Sequence, residues 1–105
     1  MAASKLVRVS SGATQQEVLL SDVTTIGRQP TNTLQIVDRL VSKEHAIIAR
    51  RVGTSGFQIT DLESRNGTYV NDRRTATGEL HHGDEIQVGK FHFLFLLGPD
   101  WADRG

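Results

Sequence analysis

The chain has 105 residues, with 12 basic and 12 acidic side chains and 37% apolar residues. This length allows one domain around one core, and a net charge of zero gives no overall attraction to nucleic acid or to an anionic membrane. The absence of cysteine excludes a disulfide framework and a thiolate metal site.

Short apolar stretches separated by turn residues run along the chain, a pattern typical of an all-β sandwich or barrel. Gly, Asn and Asp occupy the separators, where they tolerate positive φ and favour tight turns. Gly89-Lys90 is predicted to form the tip of the last hairpin. The predicted strands are, in chain order, 6–9, 17–20, 24–26, 34–36, 46–50, 57–61, 68–70, 85–88 and 91–97.

One segment, SKEHAIIARRV at 42–52, allows two interpretations. Ser42 can cap a helix, and apolar residues at positions 41, 48 and 52 are in helical register. Ile47-Ile48 at the centre, with predicted strands on both sides, also suits a strand. The local sequence therefore leaves helix and strand open.

Four segments carry polar or glycine residues in patterns that suggest binding loops. Gly27-Arg28 ends a predicted strand, and SKEH follows at 42–45. The third segment, DLESRNGTYVN at 61–71, has more polar groups than a turn needs, which indicates a docking site. The fourth, LHHGDEIQVG, lies at 80–89.

Together the four segments resemble the forkhead-associated (FHA) family of phosphothreonine-binding domains. That family has the ordered pattern G-R, S-x-x-H, S-x-N-G-T-x-V-N and L-x-x-G-D-x-I, and all four blocks occur here within 6–97. The resemblance implies that 1–105 is a single FHA domain with a core at about 6–97. Residues 98–105 would then be a tail that can lead to further domains in a longer protein.

The implied fold is all-β, a two-sheet antiparallel β-sandwich of about eleven strands (FHA/SMAD-like). The resemblance also makes the ambiguous segment at 46–52 a strand. It places the recognition loops together at one end of the sandwich and the two termini near each other at the other end.

The resemblance also implies a binding site for a phosphothreonine peptide. The phosphothreonine carries nearly two negative charges and three acceptor oxygens, so it needs several donors in a fixed geometry. The Arg28 guanidinium suits bidentate phosphate contact, and the side-chain amide of Asn66 can both donate to and accept from the peptide backbone. The implied phosphopeptide-binding residues are Arg28, Ser42, Lys43, Ser64, Arg65 and Asn66.

Other residues are expected to support this site without touching the ligand. His45 is expected to hydrogen-bond across the loop bases and hold Ser42 in place, and Gly27 to allow a close backbone turn. Asn66-Gly67 is also the signature of a type I′ turn. The expected supporting residues are Gly27, His45, Gly67 and Asn71.

We expect no enzymatic activity, no cofactor and no metal. A hydrolase built on Ser42, His45 and Asp61 would lack a G-x-S-x-G elbow, and neither a P-loop nor H-E-x-x-H is present. His81 and His82 are adjacent, so in a strand their rings point to opposite faces and cannot chelate together. The basic residues of the middle third lack the interleaved aromatic residues that bind nucleic acid.

The sequence therefore predicts a module that recognises phosphothreonine in partner proteins, in signalling downstream of a Ser/Thr kinase. The alternative is a phosphate-independent interaction or oligomerisation module of the same fold. We expect a monomer that has no nucleic-acid or membrane partner. The expected location is cytoplasmic, or nuclear if the source is eukaryotic.

Overall fold

The computed structural model describes residues 4–9 and 16–98, and eleven β-strands form its regular structure there. The strands are β1 (Lys5–Val9), β2 (Glu17–Leu19), β3 (Val23–Gly27), β4 (Leu34–Gln35), β5 (Ala46–Arg50), β6 (Phe57–Asp61), β7 (Thr68–Val70), β8 (Arg73–Arg74), β9 (Thr77–Leu80), β10 (Glu85–Val88) and β11 (Phe91–Leu96). Within these described ranges, no helix is long and apolar enough to cross a membrane. The predicted tail lies outside them, apart from Gly98.

The strands form two sheets, which confirms the predicted all-β sandwich. One sheet has the order β2-β1-β11-β10-β7-β8, and the other has the order β4-β3-β5-β6-β9. Pairing is antiparallel in both sheets except at one edge, where β3 and β4 pair in parallel through Ile26↔Leu34 and Gly27↔Gln35. The loop at 28–33 turns back far enough to lay two residues of β4 alongside β3 in the same direction.

Two strands were not predicted from the sequence, β8 and β9. Strand β8 consists of two exposed arginines, and β9 contains Gly78, a residue that usually weakens a strand. Each strand lies at the outer edge of its sheet and is held by one neighbour, β7 or β6. Tertiary pairing forms these strands, since neither has the apolar alternation that marks a strand locally.

The ambiguous segment forms a strand, β5. Ala46 and Ile48 are fully buried while Ile47 and Ala49 are half-buried, which is the period of two that a strand requires. Val52, one of the apolar positions in the helical register, is 100% exposed. Strand β5 lies between β3 and β6, so it has backbone hydrogen-bond partners on both edges.

The core lies between the two sheets and is built from the inward-facing residues of their strands. Phe57 of β6 meets Phe95 of β11 edge to face, with ring centroids 5.8 Å apart, so this pair connects the two sheets. The buried apolar residues are Leu6, Leu20, Ile26, Leu34, Ile36, Val41, Ala46, Ile48, Phe57, Ile59, Leu80, Ile86, Val88, Phe93 and Phe95.

The strand register brings several loops to one end of the sandwich. Ile26 lies opposite Ala46, and Ala46 lies opposite Asp61. The end of β3, the start of β5 and the end of β6 are therefore adjacent, and the β3–β4, β4–β5 and β6–β7 loops meet there. The predicted Gly89-Lys90 turn is confirmed, because Val88 pairs with Phe91. Val88 also pairs with Thr68 at the start of β7, so this turn lies at the same end as the three loops.

The two ends of the described chain meet at the other end of the sandwich. The backbone N–H of Gly98 donates to Ser4 Oγ at 3.0 Å. Strands β1 and β11 pair through Lys5↔Leu96 at that end. Ser4 and Gly98, the first and last described residues, therefore lie at the end of the sandwich opposite the loops.

Candidate functional site

Strand β3 ends at Gly27, and Arg28 follows it at the loop end of the sandwich. A side chain has no room at position 27. A Cβ at Gly27 would collide with the backbone oxygen of Lys43. The backbone N–H of Arg28 donates to the Ser42 oxygen at 2.9 Å, and its Nε donates to the Val41 oxygen at 3.0 Å. The guanidinium is thus held along one edge, and its two terminal nitrogens have no hydrogen-bond partner among the described residues.

Asn32 connects the β3–β4 loop to the β4–β5 loop, a role that the sequence analysis missed. Its Nδ2 donates to the Gln29 oxygen at 3.0 Å and to the Lys43 oxygen at 2.9 Å. The sequence indicated only a turn here, because Asn is a common turn residue and its distant partner is not visible locally. The side chain fixes the backbone on both sides of the place where Arg28 emerges.

His45 is fully buried and joins the β4–β5 loop to the β6–β7 loop. The Ser42 N–H donates to its Nδ1 at 3.1 Å, and its Nε2 lies 2.9 Å from the Gly67 oxygen. A backbone N–H can only donate and a carbonyl oxygen can only accept, so these partners assign the proton to Nε2. His45 therefore holds the backbone of Ser42 from behind.

The hydroxyl of Ser42 lies between the same two loops. The backbone N–H of Arg65 donates to Ser42 Oγ at 2.9 Å. The hydroxyl acts as an acceptor in this bond, so its own hydrogen remains available to a ligand. Ser42 is half-buried, and its main-chain and side-chain atoms are both fixed by neighbouring loops.

Ser64 lies beneath the cleft and not on its surface, so its predicted role as a phosphopeptide-binding residue must be corrected. Only 8% of Ser64 is exposed. Its hydroxyl donates to Asp61 Oδ1 at 2.5 Å and accepts from the Gly67 N–H at 2.9 Å. Because both bonds point inward, we assign Ser64 to the support of the β6–β7 loop.

Asp61 is the acceptor at the centre of that loop. Besides the Ser64 hydroxyl, it accepts from the Ser64 N–H at 3.1 Å and from Thr68 Oγ1 at 2.8 Å. Burial raises the pKa of the Asp61 carboxyl, but the hydrogen bonds from Ser64 and Thr68 outweigh burial and bring the pKa below its ordinary value. The loop is therefore built around an ionised carboxylate.

Asn66 and Gly67 complete the β6–β7 loop, but they do not form the expected type I′ turn. Gly67 has a φ of 87°, whereas Asn66 has a negative φ. Arg74 packs against Gly67, and a Cβ there would lie 2.7 Å from Arg74 Nε. Asn66 is exposed, and its Nδ2 donates to the Leu40 oxygen at 2.8 Å, which ties this loop to the β4–β5 loop.

Asn71 lies at the far end of β7, away from the recognition loops. Asn71 and Asp72 have φ values of 51° and 69°, the pattern of a type I′ turn. The Asn71 side chain donates to Asp84 Oδ1 at 3.0 Å and accepts from the Glu85 N–H at 3.0 Å. It joins neighbouring turns as expected, but at the opposite end of the strand, so its predicted support of the site is corrected to support of the fold.

The recognition loops surround an open cleft with a volume of about 340 Å³. It is lined by Arg28, Arg39, Leu40, Val41, Ser42, Lys43, Glu44 and Arg65. Four of the predicted binding residues thus share one cleft, although they come from three loops. Four basic side chains against a single carboxylate make the cleft suitable for an anion.

Ser42 and His45 do not have the geometry of a nucleophile paired with its general base. His45 Nδ1 accepts from the backbone N–H of Ser42 and not from its hydroxyl, so the hydroxyl has no base to activate it. Within 4–9 and 16–98, no group of three His, Asp or Glu side chains is arranged to hold a metal ion. The arrangement can donate hydrogen bonds to an anion and attract it electrostatically.

The fold and the cleft together define an anion-binding recognition module carried on a β-sandwich. The chain belongs to the FHA domain family, because the model of that family matches residues 24–89. This match confirms the resemblance that the four ordered motifs indicated.

The chain is similar to two curated proteins, one named as a regulator and the other as an inhibitor. It is 37% identical over 100 residues to the glycogen accumulation regulator GarA of Mycolicibacterium smegmatis, and 40% identical over 100 residues to the oxoglutarate dehydrogenase inhibitor of Corynebacterium efficiens. The matches cover 95% and 93% of this chain but only 62% and 69% of the two relatives. The chain therefore spans about two thirds of their length.

A solved structure has the same fold. The structure of Mycobacterium tuberculosis EmbR in complex with a low-affinity phosphopeptide superposes with a TM-score of 0.82 and 31% sequence identity. The match covers 92% of this chain and 25% of the EmbR chain.

Proposed function

We propose that this chain binds phosphothreonine-containing segments of partner proteins in the cleft at its loop end. The observation that carries the proposal is that Arg28 and Ser42 line the same cleft and that each is held from behind. Arg28 Nε donates to the Val41 oxygen, and Ser42 Oγ accepts from the Arg65 N–H. Donors that are already fixed lose little conformational entropy when the phosphoryl group binds.

The proposed contacts follow from the free hydrogen-bonding groups. The two terminal nitrogens of Arg28 contact two phosphoryl oxygens, and the Ser42 hydroxyl donates its remaining hydrogen. The Lys43 backbone N–H and the Arg65 side chain complete the phosphate contacts. Asn66 uses its side-chain oxygen and its second amide hydrogen to bind the peptide backbone beside the phosphothreonine.

The expected affinity follows from these contacts. Three or four charge-assisted hydrogen bonds each contribute about 1.5–3 kcal/mol. Ordering a flexible peptide offsets part of this gain. The dissociation constant is therefore expected on the order of micromolar.

Isothermal titration calorimetry with one peptide in four forms tests the proposal. The forms carry phosphothreonine, phosphoserine, threonine or aspartate at the same position. We expect the phosphothreonine form to bind most tightly and the aspartate form to bind poorly, because a carboxylate has less charge and fewer acceptor oxygens. Equal binding of the threonine form would contradict the proposal and favour the phosphate-independent alternative.

Two substitutions at one position separate charge from geometry. Arg28→Ala is expected to abolish measurable binding, whereas Arg28→Lys keeps the charge but loses the planar fork and restores only part of the affinity. Arg73→Gln is the control, because this exposed arginine lies in β8, outside the cleft and outside the loops that form it. Unchanged binding by Arg28→Ala would contradict the assigned site.

We further propose that the chain acts as a non-catalytic regulatory module in the cytoplasm, downstream of a Ser/Thr kinase. The two curated relatives are named as a regulator and an inhibitor, which supports a role in controlling other proteins. Affinity capture from a host lysate tests this role. Partners retained by the wild-type chain should be lost with Arg28→Ala and after phosphatase treatment, and retention in both cases would contradict it.

A further inference from the structure

One dipeptide in the recognition loops has a chemical reactivity that phosphate binding does not use. The sequence contains three asparagines, Asn32, Asn66 and Asn71, and only Asn66 is followed by a glycine. The backbone nitrogen of the residue after an asparagine can attack the side-chain amide carbon, and glycine hinders this attack least because it has no Cβ. Asn66 is also exposed, so water reaches its side chain. Asn66-Gly67 is therefore the candidate site of deamidation in this chain.

The reaction needs only water as a second reactant. The Gly67 nitrogen forms a bond to Cγ of Asn66 and loses its hydrogen, while the bond from Cγ to Nδ2 breaks and ammonia leaves. Water then opens the resulting cyclic imide at one of its two carbonyl carbons. One opening yields aspartate, and the other yields isoaspartate, in which the main chain runs through the side-chain carbon. Both products carry a carboxylate in place of the neutral amide.

The folded loop restrains the attacking nitrogen. The Gly67 N–H donates to Ser64 Oγ at 2.9 Å, and the Ser64 hydroxyl donates in turn to the Asp61 carboxylate. The Gly67 oxygen is held as well, because it lies 2.9 Å from Nε2 of His45. Gly67 is also buried, so its nitrogen reaches the side chain of Asn66 only when the loop opens locally.

The amide group under attack is restrained too. Asn66 Nδ2 donates to the Leu40 oxygen at 2.8 Å, which holds the side chain toward the β4–β5 loop. Attack on Cγ needs the side chain to turn toward the Gly67 nitrogen, a rotation that this bond opposes. Two hydrogen bonds therefore hold the reacting groups apart in the folded chain.

Building on the proposed phosphothreonine binding, we propose that Asn66 is a site of spontaneous deamidation, that the hydrogen bond to Ser64 holds the reaction back, and that the product loses phosphothreonine binding. A carboxylate at position 66 has no hydrogen to donate to the Leu40 oxygen, so the tie between the two loops is lost. It also adds a negative charge beside Arg39 and Arg65, in a region that otherwise attracts anions. The opening of the β6–β7 loop thus sets the rate of a one-way loss of binding.

Peptide mass spectrometry of aged protein tests the chemical part. The wild type is incubated at neutral pH, either folded or in guanidinium chloride, and conversion at Asn66 is followed with Asn32 and Asn71 as internal references. In the unfolded chain we expect Asn66 to convert fastest of the three, because the residues that follow the other two carry side chains. In the folded chain we expect conversion at Asn66 to be at least about tenfold slower, since its restraining hydrogen bonds must break first.

Two variants separate this specific restraint from a general loosening of the loop. Ser64→Ala removes the acceptor of the Gly67 N–H, and it should speed conversion in the folded chain about tenfold. Thr68→Val removes another hydroxyl that donates to Asp61 but leaves that acceptor in place, so the rate should change by less than about threefold. Unfolding curves establish that both variants are folded during incubation, and the comparison of folded with unfolded wild type does not depend on either variant.

Titration calorimetry with a phosphothreonine peptide tests the consequence for binding. Ion exchange separates aged wild type into intact and deamidated fractions, and we expect the deamidated fraction to bind at least about tenfold more weakly. Asn66→Asp reproduces one product and should show the same loss. Val52→Asp is the control, because it adds the same charge at a fully exposed position in the β5–β6 loop, at the other end of the sandwich, and should retain the affinity.

Four results would overturn part or all of the inference. Equal conversion of Asn66 in folded and unfolded wild type, or an equal rise in Ser64→Ala and Thr68→Val, would exclude the assigned restraint. Full affinity of the deamidated fraction and of Asn66→Asp would exclude the loss of binding and leave the proposed function intact. Failure of the intact wild type to bind the peptide would overturn the proposed function, and the inferred loss of binding with it.

Discussion

The backbone N–H of Arg65 donates a 2.9 Å hydrogen bond to Ser42 Oγ and joins two loops that are 23 residues apart in sequence. The bond has two consequences at once. It closes one side of the cleft, and it occupies an acceptor position of the hydroxyl while leaving its hydrogen free. The same serine is held through its backbone N–H by His45.

Removing the hydroxyl at position 42 should therefore weaken ligand binding more than it weakens the fold. For Ser42→Ala we expect about a tenfold to hundredfold loss of phosphothreonine-peptide affinity, since a charge-assisted bond contributes about 1.5–3 kcal/mol. Ser42→Thr keeps the hydroxyl and should recover most of the affinity. Titration calorimetry measures both, and equal affinity of the alanine variant and the wild type would refute the assigned donor.

Asn32→Ala should loosen the two loops that carry Arg28 and Lys43. The variant loses two hydrogen bonds to partly exposed carbonyls, so we expect the free energy of unfolding to fall by about 1–2 kcal/mol and the affinity to fall several-fold. Amide hydrogen exchange should accelerate in both loops. Gln58→Ala, an exposed substitution in β6, is the control, and unaltered exchange in the loops of Asn32→Ala would disprove the connection.

Gly67→Ala should destabilise the chain for two separable reasons. An alanine at a φ of 87° is strained by about 1–2 kcal/mol, and its Cβ also meets the Arg74 side chain. Adding Arg74→Ala removes the collision but not the strain. The double variant should therefore lose less unfolding free energy than the sum of the losses measured for Gly67→Ala and Arg74→Ala separately. Urea unfolding of all four proteins measures the coupling. Simple additivity would show that the collision has no energetic effect.

Asp61 should make the stability of the chain sensitive to acid. The folded-state pKa lies below the ordinary value of 3.8, so the contribution of Asp61 is complete above pH 3.8 and is lost as the pH falls through the lower folded-state pKa. Asp61→Asn should lower the free energy of unfolding by about 1–3 kcal/mol at neutral pH, because the amide nitrogen of the asparagine would face a hydrogen-bond donor.

Unfolding curves from pH 6 to pH 2.5 test this prediction. The difference in unfolding free energy between the wild type and Asp61→Asn should shrink on acidification. Glu44→Gln is the control, because it removes an exposed carboxylate that accepts no hydrogen bond among the described residues. A difference that stays constant with pH would exclude the role of the ionised carboxylate.

Much of the fold was predictable because burial in a sandwich alternates along each strand. Ile48, Ile59 and Phe93 lie on the inner faces of strands that the apolar pattern indicated. Strands β8 and β9 were not predictable in this way. Arg73 and Arg74 are exposed and become a strand only because β7 lies beside them.

The candidate site was predictable to a similar degree. The ordered motifs identified the three loops and four of the eight residues that line the cleft, including Arg28 and Arg65. Ser64 was predicted to face the ligand, but its hydroxyl donates to Asp61 inside the loop. The local sequence does not show whether a serine in a polar segment will form such an internal hydrogen bond. Asn32 was missed because its partner, the Lys43 oxygen, lies 11 residues away.

The sequence by itself determined that this chain is an all-β sandwich of the FHA family with a recognition site in its loops. Those properties depend on local features: apolar alternation with a period of two, glycines where the backbone must turn, and motif residues in a set order. Tertiary structure alone decided which polar groups remain free for a ligand. A hydroxyl, amide or guanidinium is available only when no nearby acceptor or donor has engaged it, and those neighbours come from distant parts of the chain.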